Sequence, residues 1–348
     1  MSDIRMNDLD KQLRANKPSR VYFIYGTEAY LKRSAVEKLL DACVSEDTAG
    51  FNYQRFDGKV RASELSDATQ QFPMLAERRC VLVEDYDFTK LVDSELALME
   101  TCINEVPDFC VLIFWLNDIE ASFKQAKVAR FAKLCAKVGS TLLLDTPRKN
   151  DIAVMLVERA AELGTKLDRA DAFHLIDRCG DDLTTLYSEM EKLSVYAGKK
   201  PITREMINLI CPQSLEANVF NISRSIINGQ NDEAFRITTS LLAQKTEPIE
   251  IFSLLCSDFI DLYRAKCAVS AGMGMKEILE SFESDYSGNR KFRVERAIRD
   301  QGSFSGARLR RYIELLFETE LKLKTARTDK KACLEQLVAR LCAEGVRR

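Results

Sequence analysis

The chain has 348 residues, of which 46% are hydrophobic and 30% are charged, and its formal net charge is −2. This length predicts two or three domains, and this composition is typical of folded globular proteins rather than disordered chains. The near-neutral charge excludes bulk attraction to polyanions, and no apolar run approaches the 18 residues of a membrane span.

Cysteine and histidine usage argues against a metal centre and against a disulfide framework. The 11 cysteines are scattered singly from Cys43 to Cys342, no CxxC pair occurs, and His174 is the sole histidine. Structural zinc needs clustered Cys or His ligands. The opening residues MSDIRMNDLD also lack the charged-then-apolar pattern of a signal peptide. We therefore expect reduced thiols, no metal, no cofactor and a soluble cytoplasmic protein.

Strands and helices alternate over the first 145 residues. Short β-rich runs predict strands at Val21–Tyr25, 51–56, 80–83, 109–115 and 141–144, and helical segments at 30–43, Ala62–Gln70 and 123–137 lie between them. Most of these runs are apolar throughout, which is typical of strands buried on both faces of a parallel sheet. The order predicts an α/β domain, a parallel sheet flanked by helices with right-handed crossovers.

Beyond Thr146-Pro147 the pattern is helical. Asp151 is predicted to cap a first helix, Gly180 to end a second, and Asp182 to cap a third that runs to Gly198. From Cys211-Pro212 onward, apolar residues recur at helical spacing, with loops at 272–274 and 302–306. The apolar stripes are Ile152, Met155, Leu156 and Leu163; Leu183, Leu186, Tyr187, Met190 and Leu193; Phe252, Leu255, Phe259 and Leu262; Leu309, Tyr312, Ile313 and Leu316; and Leu334, Leu337, Val338 and Leu341.

Charge is uneven at the end of the chain. Residues 287–348 hold 16 Lys/Arg against 8 Asp/Glu, whereas the rest of the chain holds 35 against 45. The basic cluster Lys322, Lys324, Arg327, Lys330 and Lys331 is a candidate DNA-facing edge. A solvated helical face explains the same residues, because Lys and Arg are good helix formers.

The turn after the first strand lacks the residues that bind a nucleotide. A P-loop needs the sequence GxxxxGK[ST]. Here Leu31 stands where the motif has its second glycine, and Lys32 is followed by Arg33 instead of Ser or Thr. The Glu28 carboxylate would also repel a phosphate. Glu84-Asp85 at the end of VLVED resembles a Walker-B strand, but without a P-loop these acids are interpreted as exposed strand-end carboxylates. No GxSxG, HExxH or GxGxxG occurs. His174 is interpreted as a structural, partly buried histidine, and no catalytic residue is predicted.

An apolar segment follows the helix predicted at Ala62–Gln70. Gln70 and Gln71 precede Phe72, Pro73, Met74 and Leu75, and proline breaks the helix there. One interpretation is a plug for a partner's hydrophobic groove, with Arg78 and Arg79 anchoring to an acidic rim. The other is that these side chains pack beneath the turn between helix and strand.

Four segments in this order resemble the delta subunit of the bacterial DNA polymerase III clamp loader over essentially the whole chain. They are VYFIYGTEAYLKR (21–33), FPMLAERRCVLVED (72–85), GDDLTTLYSEMEKLSVYAG (180–198) and ELKLKTARTDKKACLEQLVARLC (320–342). The chain departs from the usual pattern at Thr325-Ala326-Arg327, where a glycine is expected. It departs again at Met74-Leu75, where an aliphatic-aromatic pair is frequent.

The resemblance implies an AAA+-like α/β domain without a P-loop (1–145), an all-α lid of three helices (146–212) and an all-α collar (213–348) that joins a hetero-pentamer with tau/gamma and delta-prime type subunits. It implies binding and opening of the beta sliding clamp for loading on primed DNA, without ATP hydrolysis or membrane contact. By position, the clamp-binding residues are Met74 and Leu75, with Gln70, Gln71, Phe72 and Pro73 around them.

Two other functions stay open at this stage. A degenerate AAA+ ATPase would bind nucleotide, which calorimetry measures. A helical DNA-binding adaptor would use the basic tail. A clamp pull-down without DNA distinguishes this adaptor from a clamp-opening subunit, because a clamp-opening subunit must bind the clamp there and an adaptor need not.

Overall fold

The computed structural model describes residues 3–86, 92–119, 126–281, 291–325 and 329–346. The chain divides into two units, Met1–Pro147 and Arg148–Arg348. The predicted division into three domains would separate 146–212 from 213–348 within the second unit, and it stays a prediction. No described helix is long and apolar enough to cross a membrane.

The first unit is built on a five-stranded sheet in which every pairing is parallel. The strands are β1 (Val21–Tyr25), β2 (Tyr53–Phe56), β3 (Arg79–Glu84), β4 (Cys110–Trp115) and β5 (Ser140–Leu143). Their order is β2-β3-β4-β1-β5, and Phe23 of β1 lies opposite Phe114 of β4 and Thr141 of β5. The α/β fold class is therefore confirmed.

Both faces of this sheet are covered by helices. They are α1 (Met6–Arg14), α2 (Ala29–Cys43), α3 (Ala49–Asn52), α4 (Ala62–Gln70), α5 (Asp93–Asn104) and α6 (Ala126–Val138). On one face, the Phe131 ring of α6 meets Phe23 and Phe114 edge-on, with ring centroids 5.2 and 5.0 Å apart. On the other face, Tyr22 and Ile24 pack in a separate cluster with helix α2. This alternation explains why β1 is apolar at every position.

The structure corrects several predicted bounds. The second strand starts at Tyr53 rather than residue 51, because Ala49–Asn52 forms a helical turn. The fifth strand is Ser140–Leu143, one residue earlier than predicted. The predicted start of α6 at residue 123 lies outside the described residues. Helices α1 and α5 were not predicted: α1 buries a single residue, Leu9, so its apolar signal is weak.

The second unit is helical, as predicted, but residues 146–212 hold four helices rather than the predicted three. Among its described residues, the β-type pairing is confined to one bridge between Leu167 and Ile202. The helices are α7 (Lys149–Glu162), α8 (Arg169–Cys179), α9 (Leu183–Ala197), α10 (Arg204–Ile210), α11 (Leu215–Ile227), α12 (Asn231–Ala243), α13 (Pro248–Ser270), α14 (Met275–Ser281), α15 (Lys291–Asp300), α16 (Gly306–Thr325) and α17 (Lys330–Val346).

Helix ends in this unit follow the predicted residues with one exception. Asp182 caps α9 by accepting the Thr185 amide at 2.7 Å, and Gly180 ends α8 at φ +89°. Asp151 does not cap α7, because Arg148 takes the extended cap conformation directly after Pro147. The Asp151 carboxylate lies instead in the first turn, where the helix dipole favours a negative charge.

The predicted apolar stripes of α13, α16 and α17 meet in one core. Phe259 of α13 contacts Tyr312 of α16 edge-on, with ring centroids 5.0 Å apart. Leu334, Leu337, Val338 and Leu341 of α17 are fully buried beside them, whereas Ile313 is half-buried. Helical periodicity therefore located this core correctly.

Gly26 provides a test of the turn after β1. Its φ is +125°, and an added Cβ would lie 2.3 Å from the Leu144 carbonyl oxygen. Gly26→Ala is expected to lower the free energy of unfolding by at least about 2 kcal/mol. Gly50→Ala is the control, because a Cβ there meets nothing within 4 Å. Urea denaturation followed by circular dichroism measures both, and equal midpoints would contradict the strained geometry.

Candidate functional site

The N-terminus of α2, where a nucleotide phosphate would bind in a P-loop protein, is occupied by the chain's own acids. The Glu28 carboxylate accepts the Tyr30 amide at 3.2 Å. The Asp145 carboxylate accepts the Thr27 amide at 3.2 Å. The Glu28 amide donates to the Leu144 carbonyl at 2.9 Å. A phosphate would have to displace these carboxylates, so the turn is built against anion binding.

Lys32 is buried on α2, and its amine is engaged inside the fold. Its Nζ donates to the Leu116 carbonyl at 2.6 Å and to the Asn117 carbonyl at 3.1 Å. These carbonyls follow β4, so the amine ties α2 to the carboxyl end of that strand. Two of its partners are backbone carbonyl oxygens.

Glu84, the last residue of β3, and Asp85 are half-buried and engaged, so the prediction of exposed carboxylates was wrong. Asp85 Oδ1 accepts the amides of Asn117, Asp118 and Ile119 at 2.8, 2.9 and 3.2 Å. Glu84 pairs with Arg55 and accepts the Asn117 side-chain amide at 3.2 Å. The loop after β4 supplies these donors, which sequence spacing does not reveal. No group of three or more metal-ligating side chains occurs among the described residues.

Histidine and cysteine serve structure in the described parts of the chain. His174 is half-buried, and its Nε2 lies 2.8 Å from Asn208 Oδ1. All 11 cysteines are free, and nine of them are buried. Burial raises the pKa of the Cys43 thiol to about 11 and that of Cys110 to about 12. These thiols are therefore protonated and unreactive at neutral pH.

Residues 71–75, here named the apolar loop, leave large hydrophobic side chains in solvent. Helix α4 ends at Gln70, and the chain turns to extended backbone at Gln71. Phe72, Met74 and Leu75 are 77%, 57% and 93% exposed. The interpretation that they pack beneath the turn is therefore wrong, and they project outward.

The apolar loop lies at the amino edge of the sheet, held by residues that precede neighbouring strands. The Phe72 ring stacks on Phe109, one residue before β4, with centroids 4.8 Å apart. The Gln70 side-chain amide donates to the Glu105 carbonyl at 2.9 Å. Phe109 was not predicted as part of this site, because its position in an apolar run indicates only a strand.

Arg78 and Arg79 do not extend toward a partner, and the prediction that they anchor to an acidic rim was wrong. Arg79 is buried, and its guanidinium donates to carbonyl and amide oxygens of the surrounding chain. Arg78 donates to the Asn16 side chain at 2.6 Å and to the Asn16 carbonyl at 2.9 Å. Both cations therefore meet acceptors within the first unit.

The predicted basic cluster lies where α16 ends and α17 begins. Lys322 and Lys324 are exposed on α16, and Lys330 and Lys331 are exposed on the first turn of α17. Lys324 pairs with Glu320 at 2.6 Å, which offsets its charge. Arg327 lies outside the described residues.

Three family models match the chain in the order of its predicted domains. The model described as DNA polymerase III, delta subunit, matches residues 22–138. A model described as a middle domain matches residues 149–209. The model described as DNA polymerase III delta subunit, C-terminal domain, matches residues 216–341.

Individual proteins show the same similarity over most of their length. DNA polymerase III subunit delta of Bacillus subtilis is 27% identical over 344 residues, covering 96% of each chain. The probable DNA polymerase III subunit delta of Aquifex aeolicus is 24% identical over 270 residues, covering 75% of each. The solved structure of the Bacillus subtilis DNA clamp loader delta protein superposes with a TM-score of 0.73 at 26% identity. It covers 97% of this chain and 100% of that one.

The buried amine of Lys32 generates a prediction about both stability and nucleotide. Lys32→Ala is expected to lower the free energy of unfolding by about 1–3 kcal/mol, because the Leu116 and Asn117 carbonyls lose a donor. The rate of ATP hydrolysis is expected not to exceed the background rate in either the native protein or the Lys32→Ala variant. Lys38→Ala is the control on the same helix, since it removes a more exposed ion pair with Asp10. Turnover that survives purification and disappears in Lys32→Ala would contradict this assignment.

Proposed function

The chain belongs to the family of DNA polymerase III delta subunits, and from that premise we propose that it binds the beta sliding clamp and opens its ring for loading on primed DNA. The observation that carries the proposal is the apolar loop. Outward apolar side chains that cluster on one loop indicate a surface that a partner covers. Met74 and Leu75 are the central contacts, and Gln70, Gln71, Phe72 and Pro73 surround them.

Binding through this loop needs no covalent chemistry. Two apolar side chains that enter a groove supply a hot spot, while the neighbouring glutamines hydrogen-bond at its rim without burying charge. The clamp opens if the loop fits the open ring interface better than the closed one, since a ligand shifts an equilibrium only by its differential affinity. The subunit is then a binding device of a DNA-directed DNA polymerase, with no catalytic site of its own.

Energy for the cycle comes, in this proposal, from other subunits. The Glu28 carboxylate accepts the Tyr30 amide, and the Lys32 amine donates to the Leu116 carbonyl. Because these groups already have partners within the chain, they argue against a degenerate AAA+ ATPase that would bind a phosphate here. The residues 213–348 are proposed as the collar that joins tau/gamma and delta-prime type subunits in a hetero-pentamer. The residues 146–212 are the lid, and the complex acts in the cytoplasm, where the DNA is replicated.

The apolar loop generates the central prediction. Replacing Met74 and Leu75 together with alanine is expected to weaken clamp binding by about 30- to 1000-fold, equivalent to about 2–4 kcal/mol of lost contact. The melting temperature should change little, because both side chains are exposed in the free subunit. Surface plasmon resonance with the cognate clamp, without DNA, measures the affinity.

Val195 and Tyr196 on α9 offer a matched control pair. They are adjacent apolar residues and are 84% and 53% exposed. Their double alanine variant should bind the clamp normally. Normal binding by the Met74/Leu75 variant, or a much lower melting temperature, would place the clamp-binding surface elsewhere.

The basic cluster is the second proposed contact, with DNA. Replacing Lys322, Lys330 and Lys331 with glutamine is expected to reduce the salt slope of loader–DNA binding by up to about 0.9 per lost phosphate contact. The exposed pair Lys199 and Lys200 provides control substitutions. Fluorescence anisotropy over a series of salt concentrations gives the slope, and an unchanged slope would assign the cluster to a solvated helical face.

A further inference from the structure

Asn52 makes a two-point contact with the apolar loop from inside the fold. This residue ends α3, directly before β2, and is 1% exposed. Its Nδ2 donates to the Met74 carbonyl at 2.7 Å, and its Oδ1 accepts the Met74 amide at 2.7 Å. The side-chain amide therefore satisfies both backbone groups of a residue whose own side chain is exposed, and it fixes the backbone there.

The next residue has a backbone conformation that local energetics disfavour. Leu75 has φ +55°, in the left-handed region, which is costly for a residue with a branched side chain. Its side chain is 93% exposed, so packing of that side chain does not account for the conformation. Such backbone persists when the surrounding structure fixes it, and the contact that precedes it in the chain is the Asn52–Met74 pair.

Asn52 is itself held by the buried guanidinium of Arg79. Arg79 donates to the carbonyl of Phe51, the residue before Asn52, at 2.7 Å. The same group donates to the Ala68 carbonyl at 2.8 Å and to the Gln54 side chain at 2.8 Å. One cation therefore joins the α3 turn to the last turn of α4, from which the apolar loop departs.

We propose that Asn52 is a positioning residue that holds Met74 and Leu75 in their clamp-binding geometry before the clamp arrives. The inference rests on the proposed function of the apolar loop. A preformed loop does not have to lose backbone freedom on binding, so more of its contact energy appears as affinity. Asn52 is buried and acts through Met74 rather than by touching the partner.

A double-mutant cycle tests this mode of action. Asn52→Ala is expected to weaken binding of the cognate sliding clamp about tenfold, the effect of ordering roughly one backbone residue on binding. In the Met74→Ala/Leu75→Ala background the same substitution should change affinity less than twofold, since the side chains it positions are gone. Thr141→Ala is the control, because it removes another buried side-chain hydrogen bond, to Asp3, at the far edge of the sheet.

The outcomes separate the two proposals. If the Met74/Leu75 variant binds normally, the proposed clamp site is wrong. If that variant loses binding but Asn52→Ala binds like the native protein, the clamp site stands and the positioning role is wrong. An equal loss from Asn52→Ala in both backgrounds also overturns positioning, as does an equal loss in Thr141→Ala.

Two further measurements apply if Asn52→Ala does not fold. Asn52→Asp keeps the shape and the acceptor but turns an oxygen toward the Met74 carbonyl, and it should weaken clamp binding in the same direction. In the native free subunit, hydrogen exchange of the Met74 amide should be slower than in an unstructured peptide, because Asn52 accepts it. Exchange at the peptide rate would overturn the proposal without any substitution.

Discussion

Burial of the sheet on both faces is the constraint that decides where this protein can act. Every residue of β1 and β4 is buried, so neither face of the central strands is available to a ligand. Within the first unit, a ligand that reaches the sheet itself is therefore limited to the strand ends and the loops that join them. In open α/β sheets, ligands usually bind at the carboxyl ends of the strands. Here the exposed side chains of the apolar loop lie at the opposite, amino edge, beside Asn52 and Phe109, which directly precede β2 and β4, and Arg79, which starts β3.

At the carboxyl edge of the sheet, charged side chains of the chain hydrogen-bond to its own backbone. The loop after β4 offers carbonyls to Lys32 and amides to Asp85, so both polarities of its backbone are satisfied internally. Glu28 and Asp145 take the amides at the start of α2 in the same way. A nucleotide needs these groups free, and here they are engaged within the chain.

Sequence reasoning located what depends on side-chain periodicity. The continuous apolar runs predicted β1 correctly. Pro73 beside Phe72, Met74 and Leu75 predicted the end of a helix, but the sequence left open whether these side chains project outward or pack beneath the turn. Sequence reasoning failed where a side chain acts on backbone atoms. Arg79 was interpreted as a partner-facing cation, although it binds the carbonyls of Phe51 and Ala68. Asn52 was not identified, although it binds the carbonyl of Met74. A residue pattern does not show where backbone carbonyls lie, so neither contact could be predicted. The prediction that Asp151 caps α7 was wrong for a related reason, because the backbone at Pro147 and Arg148 determines where the helix starts.

A loop fixed by the fold also limits how its binding can be controlled. If Asn52 and Arg79 hold Met74 and Leu75 in place, the loop offers the same surface in every state of the free subunit. Control then has to come from covering that surface, because local refolding would break the hydrogen bonds of the buried Asn52 side chain to both backbone groups of Met74. In the proposed complex, a neighbouring subunit would have to supply that cover. This division of roles suits a subunit whose own nucleotide position is filled by its side chains.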